Sequence, residues 1–398
     1  MDIRTATAHD TEEIARLYAV SFPSVVKTID EWCDDLQPNA RRTFDDILVA
    51  AENGHVAGAL TLYRHTVSVG GVQMKSGGIG GVAVLPEARM NGIAKTLMTE
   101  ACTRMRATHV PLSLLYPFKQ SFYQKLGYGL IGELKTMNVP STVIPRFSER
   151  DNVHPLVDHE LGMLSACYDA FARRSSFCIA RSADAWKMEV KRAHKNRWTY
   201  WCHHADDGIT GYMLIDEKEQ LIVREFVYLT PSALRGLLGF LAVYKTHNPL
   251  LIPYAPDEHF HLLCTDPVDI GQRMLFGLYP VSGQFGHALM LRIVDVHEAL
   301  KQRTFRRAEG VVTFHILDDQ IPENSTTATL IFNGDAVEYS DELTTHLVSL
   351  TVSTFAQLYA GFMTFTSARY TGLIDAYFDV SFLDDAFALP APHCLDFF

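Results

Sequence analysis

Residues 82–94 have the sequence Val-Ala-Val-Leu-Pro-Glu-Ala-Arg-Met-Asn-Gly-Ile-Ala. The apolar residues 82–84 predict a strand, residues 85–92 a loop, and the apolar periodicity from Ile93 onward a helix. A helix N-terminus exposes unpaired backbone N–H groups and a partial positive charge, and small residues there let a phosphate come close. The pattern Arg-x-x-Gly-x-Ala therefore indicates an anion-binding turn. A glycine between a strand and a helix is also often only a tight connection.

The residues on both sides of this segment predict a mixed α/β unit. Asp10 precedes a helical apolar pattern and is a good N-cap residue. The turn pair Asn53-Gly54 and a second glycine pair at 70–71 separate strand-like stretches, which is typical of an antiparallel meander. A further strand is predicted at 112–115 and a short helix before Gly127. We place the end of this first unit at residue 148.

A second motif makes the interpretation of this turn more specific. Residues 122–128 read Phe-Tyr-Gln-Lys-Leu-Gly-Tyr, at the distance expected for the next helix. Arg-x-x-Gly-x-Ala followed by Phe-Tyr-x-x-x-Gly-Tyr resembles the acetyl-CoA-binding signature of the GNAT superfamily of N-acetyltransferases. The resemblance implies a strand that pairs with the pantetheine arm and a loop that holds the pyrophosphate, and the matching residues are Val82, Ala83, Val84, Arg89, Met90, Asn91, Gly92, Ile93 and Ala94.

The same resemblance gives Tyr123 a chemical role. It implies that Tyr123 donates a proton to the departing coenzyme A thiolate, one of the two proton movements that acetyl transfer to an amine requires. Without the motif, a tyrosine beside Phe122 would be a core aromatic residue. Tyr128 is the aromatic end of the motif.

The middle of the chain repeats the order of the first unit in degenerate form. Strands are predicted at 198–202, 209–215 and 221–229, and Thr230-Pro231 begins a helix. Leu85 to Gly92 and Leu229 to Gly236 span the same interval of seven positions, which favours a duplication. The second helix lacks Arg-x-x-Gly-x-Ala, so we expect no coenzyme site there.

A third segment follows, with a strand predicted at 288–294, a helix capped by Asp295, a hairpin over 311–332 and a helix closed by Gly361. The order of the three units resembles the bacterial Eis-like (enhanced intracellular survival) family, in which a sterol-carrier-protein-like domain follows two GNAT units. The resemblance covers essentially the whole chain. It implies an α+β fold with domains at 1–148, 149–285 and 286–398, and self-association as a trimer or hexamer.

The chain end is a candidate catalytic group. In the Eis-like family the terminus reaches the N-terminal active site and its α-carboxylate is taken as the general base, which here would belong to Phe398. A free α-carboxyl titrates near 3.5, so it is ionised at neutral pH. The alternative is a frayed tail. Two consecutive phenylalanines at the end favour a docked terminus.

Residues of the first helices are predicted to line the pocket for the acceptor amine. Phe22 and Trp32 lie in the region that lines the amine pocket in this family, and Asp396, with Asp30 and Glu31, would add negative charge. Aromatic and acidic walls suit a cationic amine. The resemblance implies a primary-amine acceptor such as a polyamine, an aminoglycoside or a lysine side chain.

Composition limits the other function classes. Apolar residues make up 47% and charged residues 20% of the 398, as in globular proteins. Residues 286–398 carry nine of the eleven net negative charges, which disfavours nucleic acid and anionic membranes and suits a cationic partner, unless it is simply a solvated face. Apolar runs are too short for a membrane helix, and the N-terminus lacks a signal-peptide pattern, so we expect a cytoplasmic protein.

Metal and lipid binding are the remaining alternatives. The seven cysteines form no Cys-x-x-Cys pair, and the histidines at 203–204, 259 and 261 have no third cluster at metal-ligand spacing, so no metal is predicted. A lipid-binding protein, with the GNAT units as scaffold, is the rival to the enzyme. A scaffold has no need of Tyr123 and of the loop motif.

Overall fold

The computed structural model describes residues 1–217, 220–243, 250–268, 278, 281–287 and 289–398. They form two compact units. The first unit contains Met1–Ile131, Ala288–Leu389 and Asp396–Phe398, and the second contains Gly132–His287 and Pro390–Leu395.

Residues 1–131 alternate strands and helices as predicted. The elements are β1 (Asp2–Thr5), α1 (Thr11–Ser21), α2 (Ile29–Leu36), β2 (Ile47–Glu52), β3 (His55–Val69), β4 (Val72–Val84), α3 (Ile93–Ala107), β5 (Leu112–Leu115), α4 (Gln120–Gln124) and β6 (Gly129–Leu130). Asn53 and Gly54 have φ angles of 52° and 86°, and Gly70 and Gly71 of 59° and 85°, as tight hairpin turns require. Asp10 precedes α1, but its carboxylate pairs with Arg4 at 2.7 and 2.8 Å instead of capping α1.

The middle segment contains the three predicted strands and the predicted helix, together with elements that the sequence analysis did not predict. Its elements are β7 (Glu133–Val139), β8 (Val153–Pro155), α5 (Leu161–Arg174), α6 (Ala183–Asn196), β9 (Trp198–Ala205), β10 (Gly208–Glu217), β11 (Leu221–Tyr228), α7 (Pro231–Leu241), β12 (Leu250–Tyr254) and β13 (Gly283–His287). The predicted ones are β9, β10, β11 and α7.

The last segment contains β14 (Met290–Ile293), α8 (Val296–Gln302), β15 (Ala308–Leu317), β16 (Thr326–Gly334), β17 (Ala336–Ser340), β18 (Leu347–Thr351), α9 (Val352–Tyr359), α10 (Phe365–Tyr370), β19 (Asp375–Ala376) and α11 (Ser381–Ala386). Asp295 caps α8 as predicted, accepting a hydrogen bond from the Glu298 N–H at 3.0 Å. Residue 288, where the sequence predicts a strand to begin, lies outside the described residues.

The described strands form three sheets. Their orders are β1-β2-β3-β4-β5-β14-β6, β13-β7-β12-β11-β10-β9-β8, and β17-β16-β15-β18-β19. Two strands lie in sheets that their position in the sequence does not suggest. β14 pairs with both β5 and β6, and β7 pairs with β12 and β13.

The strand pairing does not follow the order of the segments along the chain. The N-terminal part of the first unit ends at Ile131, and β7, which comes next, pairs with strands of the middle segment. β14, predicted to start the third domain, completes the first sheet instead. The first and third segments thus share one compact unit.

A buried ion pair links β14, a strand of the first sheet, to the residue that follows β15 of the third sheet. Arg292 of β14 binds both oxygens of Asp318 through Nη2, at 2.7 and 2.6 Å, and both residues are buried. Asn324 donates to Asp318 Oδ2 at 3.0 Å and to the Ile293 carbonyl at 3.1 Å. A Cβ at Gly127 would lie 2.7 Å from the Arg292 guanidinium carbon, so glycine leaves the space that the guanidinium fills.

Candidate active site

Strand β4 separates from β5 beside the residues predicted to hold the pantetheine arm. The two strands run parallel and pair only from Ser76 with Leu112 to Ile79 with Leu115. A bulge then shifts the register between β3 and β4, and Gly81 has a φ of +60°, which favours glycine. Beyond it, Val82–Val84 have no β5 partner among the described residues. Their backbone edge on that side is therefore open to an extended ligand.

The N-terminus of α3 lies at the end of the same strand. Gly92 is its N-cap, with a φ of +78°, and a Cβ there would meet no atom within 4 Å. Among the residues that the structure describes, no side chain caps the helix, so its first N–H groups are left without a capping partner there. Met90 is 99% exposed and Arg89 is also exposed, with its Nε donating to the Val84 carbonyl at 3.2 Å. Together these features make a surface turn that can accept a pyrophosphate.

Two of the predicted coenzyme residues can contribute only backbone groups. The side chains of Ala83 and Ile93 are buried in hydrophobic clusters of the first unit. Asn91 is exposed and Ala94 is half-buried.

The corresponding helix of the middle segment is closed to anions. Thr230 Oγ1 caps α7 by accepting from the Ala233 N–H at 3.1 Å, and Pro231 has no N–H to offer. Gly236 lies inside α7, where an added Cβ would lie 2.4 Å from His203 Cδ2. Thr230, not Gly236, therefore stands where Gly92 stands in the first unit, so the matched interval of seven positions does not align the two helix starts.

Tyr123 is buried on α4 with its hydroxyl unused. The side chain is 2% exposed, and its ring centroid lies 5.4 Å from Phe118, 5.0 Å from Phe122 and 5.9 Å from Tyr128. No hydrogen-bond partner of its hydroxyl lies among the described residues. Burial raises the pKa of Tyr123 well above its usual value, so the phenol keeps its proton.

The chain end packs on the β3–β4 hairpin within the first unit. The Phe398 ring centroid lies 4.8 Å from that of His65, 5.5 Å from Tyr116 and 6.0 Å from Tyr63. A Cβ at Gly80 would come within 2.9 Å of the Phe398 carboxyl carbon. The terminal carboxylate therefore lies against β4, one residue before the bulge at Gly81.

The two residues before Phe398 are held by polar and aromatic contacts. Arg41 Nη2 forms an ion pair with Asp396 Oδ1 at 3.0 Å, and the Tyr116 hydroxyl donates to the Asp396 carbonyl at 2.9 Å. Phe397 is 62% exposed and stacks on Tyr116, with ring centroids 5.0 Å apart. Asp396 was predicted as a substrate carboxylate, but its charge is balanced by Arg41 and it anchors the terminal segment.

The predicted substrate aromatics form one cluster around Tyr18. Phe22 and Trp32 lie 5.5 and 5.6 Å from the Tyr18 ring and 6.3 Å from each other, and both are half-buried. The Tyr18 hydroxyl reaches the bulge, where a Cβ at Gly81 would lie 2.5 Å from it. Glu31 is exposed and accepts the Thr28 N–H at 2.9 Å, so its carboxylate serves the start of α2.

The sequence reasoning assigned no role to Tyr18, Tyr63, His65 and Tyr116. One signal was available: glycine occupies positions 77, 78, 80 and 81, which lead into the strand predicted at 82–84 and lie inside β4. Glycines inside a strand often mark a bulge or the close approach of another group. The aromatic residues carried no local signal.

Comparisons with known families agree with this geometry. Acetyltransferase (GNAT) domain models match residues 2–131 and 178–293, and a sterol carrier protein domain model matches residues 296–395. The chain is a GNAT acetyltransferase with Eis-like domain order. Use of acetyl-CoA and of amine acceptors in general follows from this membership. No curated protein matches the sequence of this acetyltransferase.

Solved structures share the fold over the full length. They include GCN5-related N-acetyltransferases from Anabaena variabilis ATCC 29413 (19% identity, TM-score 0.86) and Kribbella flavida (21%, 0.80), and Eis1 from Mycobacterium abscessus (18%, 0.79). In each case 100% of both chains is covered. Within the described residues of this acetyltransferase, every helix is too short or too polar to cross a bilayer.

Proposed function

We propose that the first GNAT domain transfers the acetyl group of acetyl-CoA to a primary amine, with Phe398 accepting the amine proton and Tyr123 donating a proton to the leaving thiolate. One observation carries the proposal: the terminal carboxylate lies against Gly80, at the point where β4 separates from β5. A chain end placed beside an open coenzyme strand is otherwise unexpected, because chain ends usually fray.

The coenzyme would be held mainly by backbone groups. The edge of Val82–Val84 that lacks a β5 partner can pair with the amides of the pantetheine arm, as a neighbouring strand would, with Arg89 moving away from the Val84 carbonyl. The uncapped N-terminus of α3 and the exposed Arg89 suit the pyrophosphate. Acetyl-CoA supplies the acetyl group as an activated thioester.

The two proposed catalytic groups have opposite proton preferences. An α-carboxylate is ionised at neutral pH and can accept the proton of an ammonium acceptor. The Tyr123 phenol has a raised pKa and keeps its proton until the thiolate forms. This division gives each proton movement its own residue.

We infer that the acceptor is a cationic amine, such as a polyamine, an aminoglycoside or a lysine side chain. Support comes from the cluster of Tyr18, Phe22 and Trp32 beside the bulge, because aromatic faces attract cations. The Lys27 ammonium already lies 4.7 Å from the Trp32 ring centroid. Asp396 contributes less than the sequence suggested, since Arg41 balances its charge.

The interior of the third segment favours the enzyme over the lipid carrier. The Phe314 ring lies 5.7 Å from Phe355, 5.8 Å from Phe365 and 5.8 Å from Phe387, and Phe365 and Phe387 are 5.0 Å apart. These four buried rings pack against one another, so this part of the third segment is a packed aromatic core.

The test compares proteins that carry a tag at one end or the other. A C-terminal tag converts the Phe398 carboxylate into an amide, whereas an N-terminal tag leaves it free. Each protein is incubated with acetyl-CoA and a mixture of polyamines, aminoglycosides and lysine peptides, and acetylated products are identified by mass spectrometry. We expect acetylation by the N-terminally tagged protein and a loss of about 10²-fold or more with the C-terminal tag. Equal rates would exclude Phe398 as the base, and no acetylated amine would contradict the acceptor class.

A further inference from the structure

His65 is a buried histidine with one ring nitrogen unused. It is 8% exposed, and its Nε2 has no hydrogen-bond partner among the described residues. Burial lowers the pKa of His65 to about 4, so the ring is neutral in the physiological range. It is parallel to Tyr63, with centroids 5.9 Å apart, and presents an edge contact to Phe398.

Gly78 lies directly against the rings of His65 and Phe398. A Cβ at this position would lie 2.6 Å from His65 Cδ2 and Nε2 and 2.9 Å from Phe398 Cδ2. The φ of Gly78 is not positive, so its backbone conformation does not itself require glycine. Glycine is required at this position because the rings of His65 and Phe398 leave no room for a Cβ.

We propose that His65 is a positioning residue for the terminal base: with Tyr63, Gly78 and Tyr116 it forms a terminal socket for the Phe398 side chain, which holds the carboxylate against Gly80. The proposal rests on the function proposed for Phe398. The Arg41 ion pair fixes only residue 396, two positions away. The terminal socket fixes residue 398 itself, where an error of about 1 Å can cost about 10²-fold in rate.

Substitutions of His65 can distinguish a role of the ring's shape from a role of its unpaired nitrogen. A phenyl ring in place of His65 fills the same space without an unpaired nitrogen, whereas alanine removes the ring that contacts Phe398. Gly78→Ala instead adds a methyl group where the rings of His65 and Phe398 come close to residue 78. If the terminal socket acts by shape, His65→Phe keeps the terminus docked, and both His65→Ala and Gly78→Ala release it.

Docking can be measured without any activity assay. Carboxypeptidase A removes aromatic C-terminal residues from accessible chain ends, and mass spectrometry of the full-length protein follows the loss of Phe398. We expect slow release from the wild type and from His65→Phe, and release at least about tenfold faster from His65→Ala and Gly78→Ala. His55→Ala, an exposed histidine on the same strand, is the matched control and should behave as the wild type. Equal release from all proteins would overturn the proposal.

Kinetics then link docking to catalysis. We expect His65→Ala to lower kcat by about 10²-fold with the KM for acetyl-CoA unchanged, and His65→Phe to retain turnover. Phe398→Ala empties the terminal socket from the other side, so its effect and that of His65→Ala should not add.

A docked but inactive His65→Phe protein would mean that the imidazole nitrogen is used chemically, which contradicts positioning by shape. If the terminal socket responds as expected while C-terminal tagging leaves activity intact, the role of Phe398 as base fails and the terminal socket stands.

Discussion

Two tyrosines of one motif differ in how their hydroxyls are used. The Tyr128 hydroxyl is hydrogen-bonded to Ser113 Oγ at 2.8 Å inside the core of the first unit. The Tyr123 hydroxyl has no such partner among the described residues and remains a free donor. The sequence places both in the motif, but only their surroundings separate a structural hydroxyl from a candidate acid.

Replacing each tyrosine by phenylalanine should therefore have opposite effects. We expect Tyr123→Phe to lower kcat by about 10²–10⁴-fold with coenzyme affinity and unfolding midpoint nearly unchanged, because only the proton donor is lost. Tyr128→Phe should keep kcat and lower the free energy of unfolding by about 1–3 kcal/mol, because Ser113 Oγ loses its partner. Steady-state kinetics and urea unfolding of both variants test this. Normal turnover in Tyr123→Phe would remove the residue from the mechanism.

At the level of elements, the two GNAT segments differ at a helix N-terminus. α3 begins at an uncapped glycine, and α7 begins with a threonine cap and a proline. The first arrangement leaves N–H groups available to an anion, whereas the second pairs the Ala233 N–H with Thr230 and has no N–H at Pro231. This difference explains physically why one segment is proposed to bind coenzyme and the other is not.

Substitution of Gly92 can separate backbone strain from anion binding. Gly92→Ala and Gly92→Glu both place a Cβ residue at a φ of +78°, and neither Cβ meets another atom within 4 Å. The two variants therefore share a strain of about 1–2 kcal/mol. Only glutamate adds bulk and negative charge to the turn. We expect calorimetry to show coenzyme A binding by the alanine variant and its loss in the glutamate variant, both folded. Equal affinities would mean that this turn does not bind the pyrophosphate.

At the scale of the whole molecule, the first unit is assembled from separate parts of the chain. Its first sheet is complete only when β14 pairs between β5 and β6. Arg292 of that strand is fully buried and depends on Asp318 for its counter-charge. The candidate active site and the sterol carrier segment should therefore unfold together.

Asp318→Asn tests this coupling, because it leaves a buried guanidinium without a carboxylate. We expect the free energy of unfolding of the first unit to fall by about 3–5 kcal/mol, with coenzyme binding lost at the same urea concentration as the secondary structure. The neighbouring Asp319 is exposed, and Asp319→Asn should change stability by less than about 0.5 kcal/mol. Separate transitions for binding and unfolding would show that the segments are independent.

Local patterns in the sequence were sufficient for much of the fold. The meander, the strand-loop-helix at 82–94, the cap of α8 and the α+β architecture all follow from residues close together in the chain, whose turn chemistry and periodicity act over a few positions. The motif around Tyr123 belongs to this group. Its residues lie within one loop and one helix, so their spacing carries the information.

Other features depended on contacts between residues far apart in sequence. The Tyr116 hydroxyl meets the Asp396 carbonyl across 280 positions, and Arg41 meets the Asp396 side chain across 355. No periodicity or turn signal encodes such pairs. Only the folded chain therefore showed the anchoring of Asp396, the aromatic contacts of Phe398 and the strand positions of β7 and β14. They are set by which surfaces remain to be buried once the local elements have formed, and that depends on the whole molecule at once.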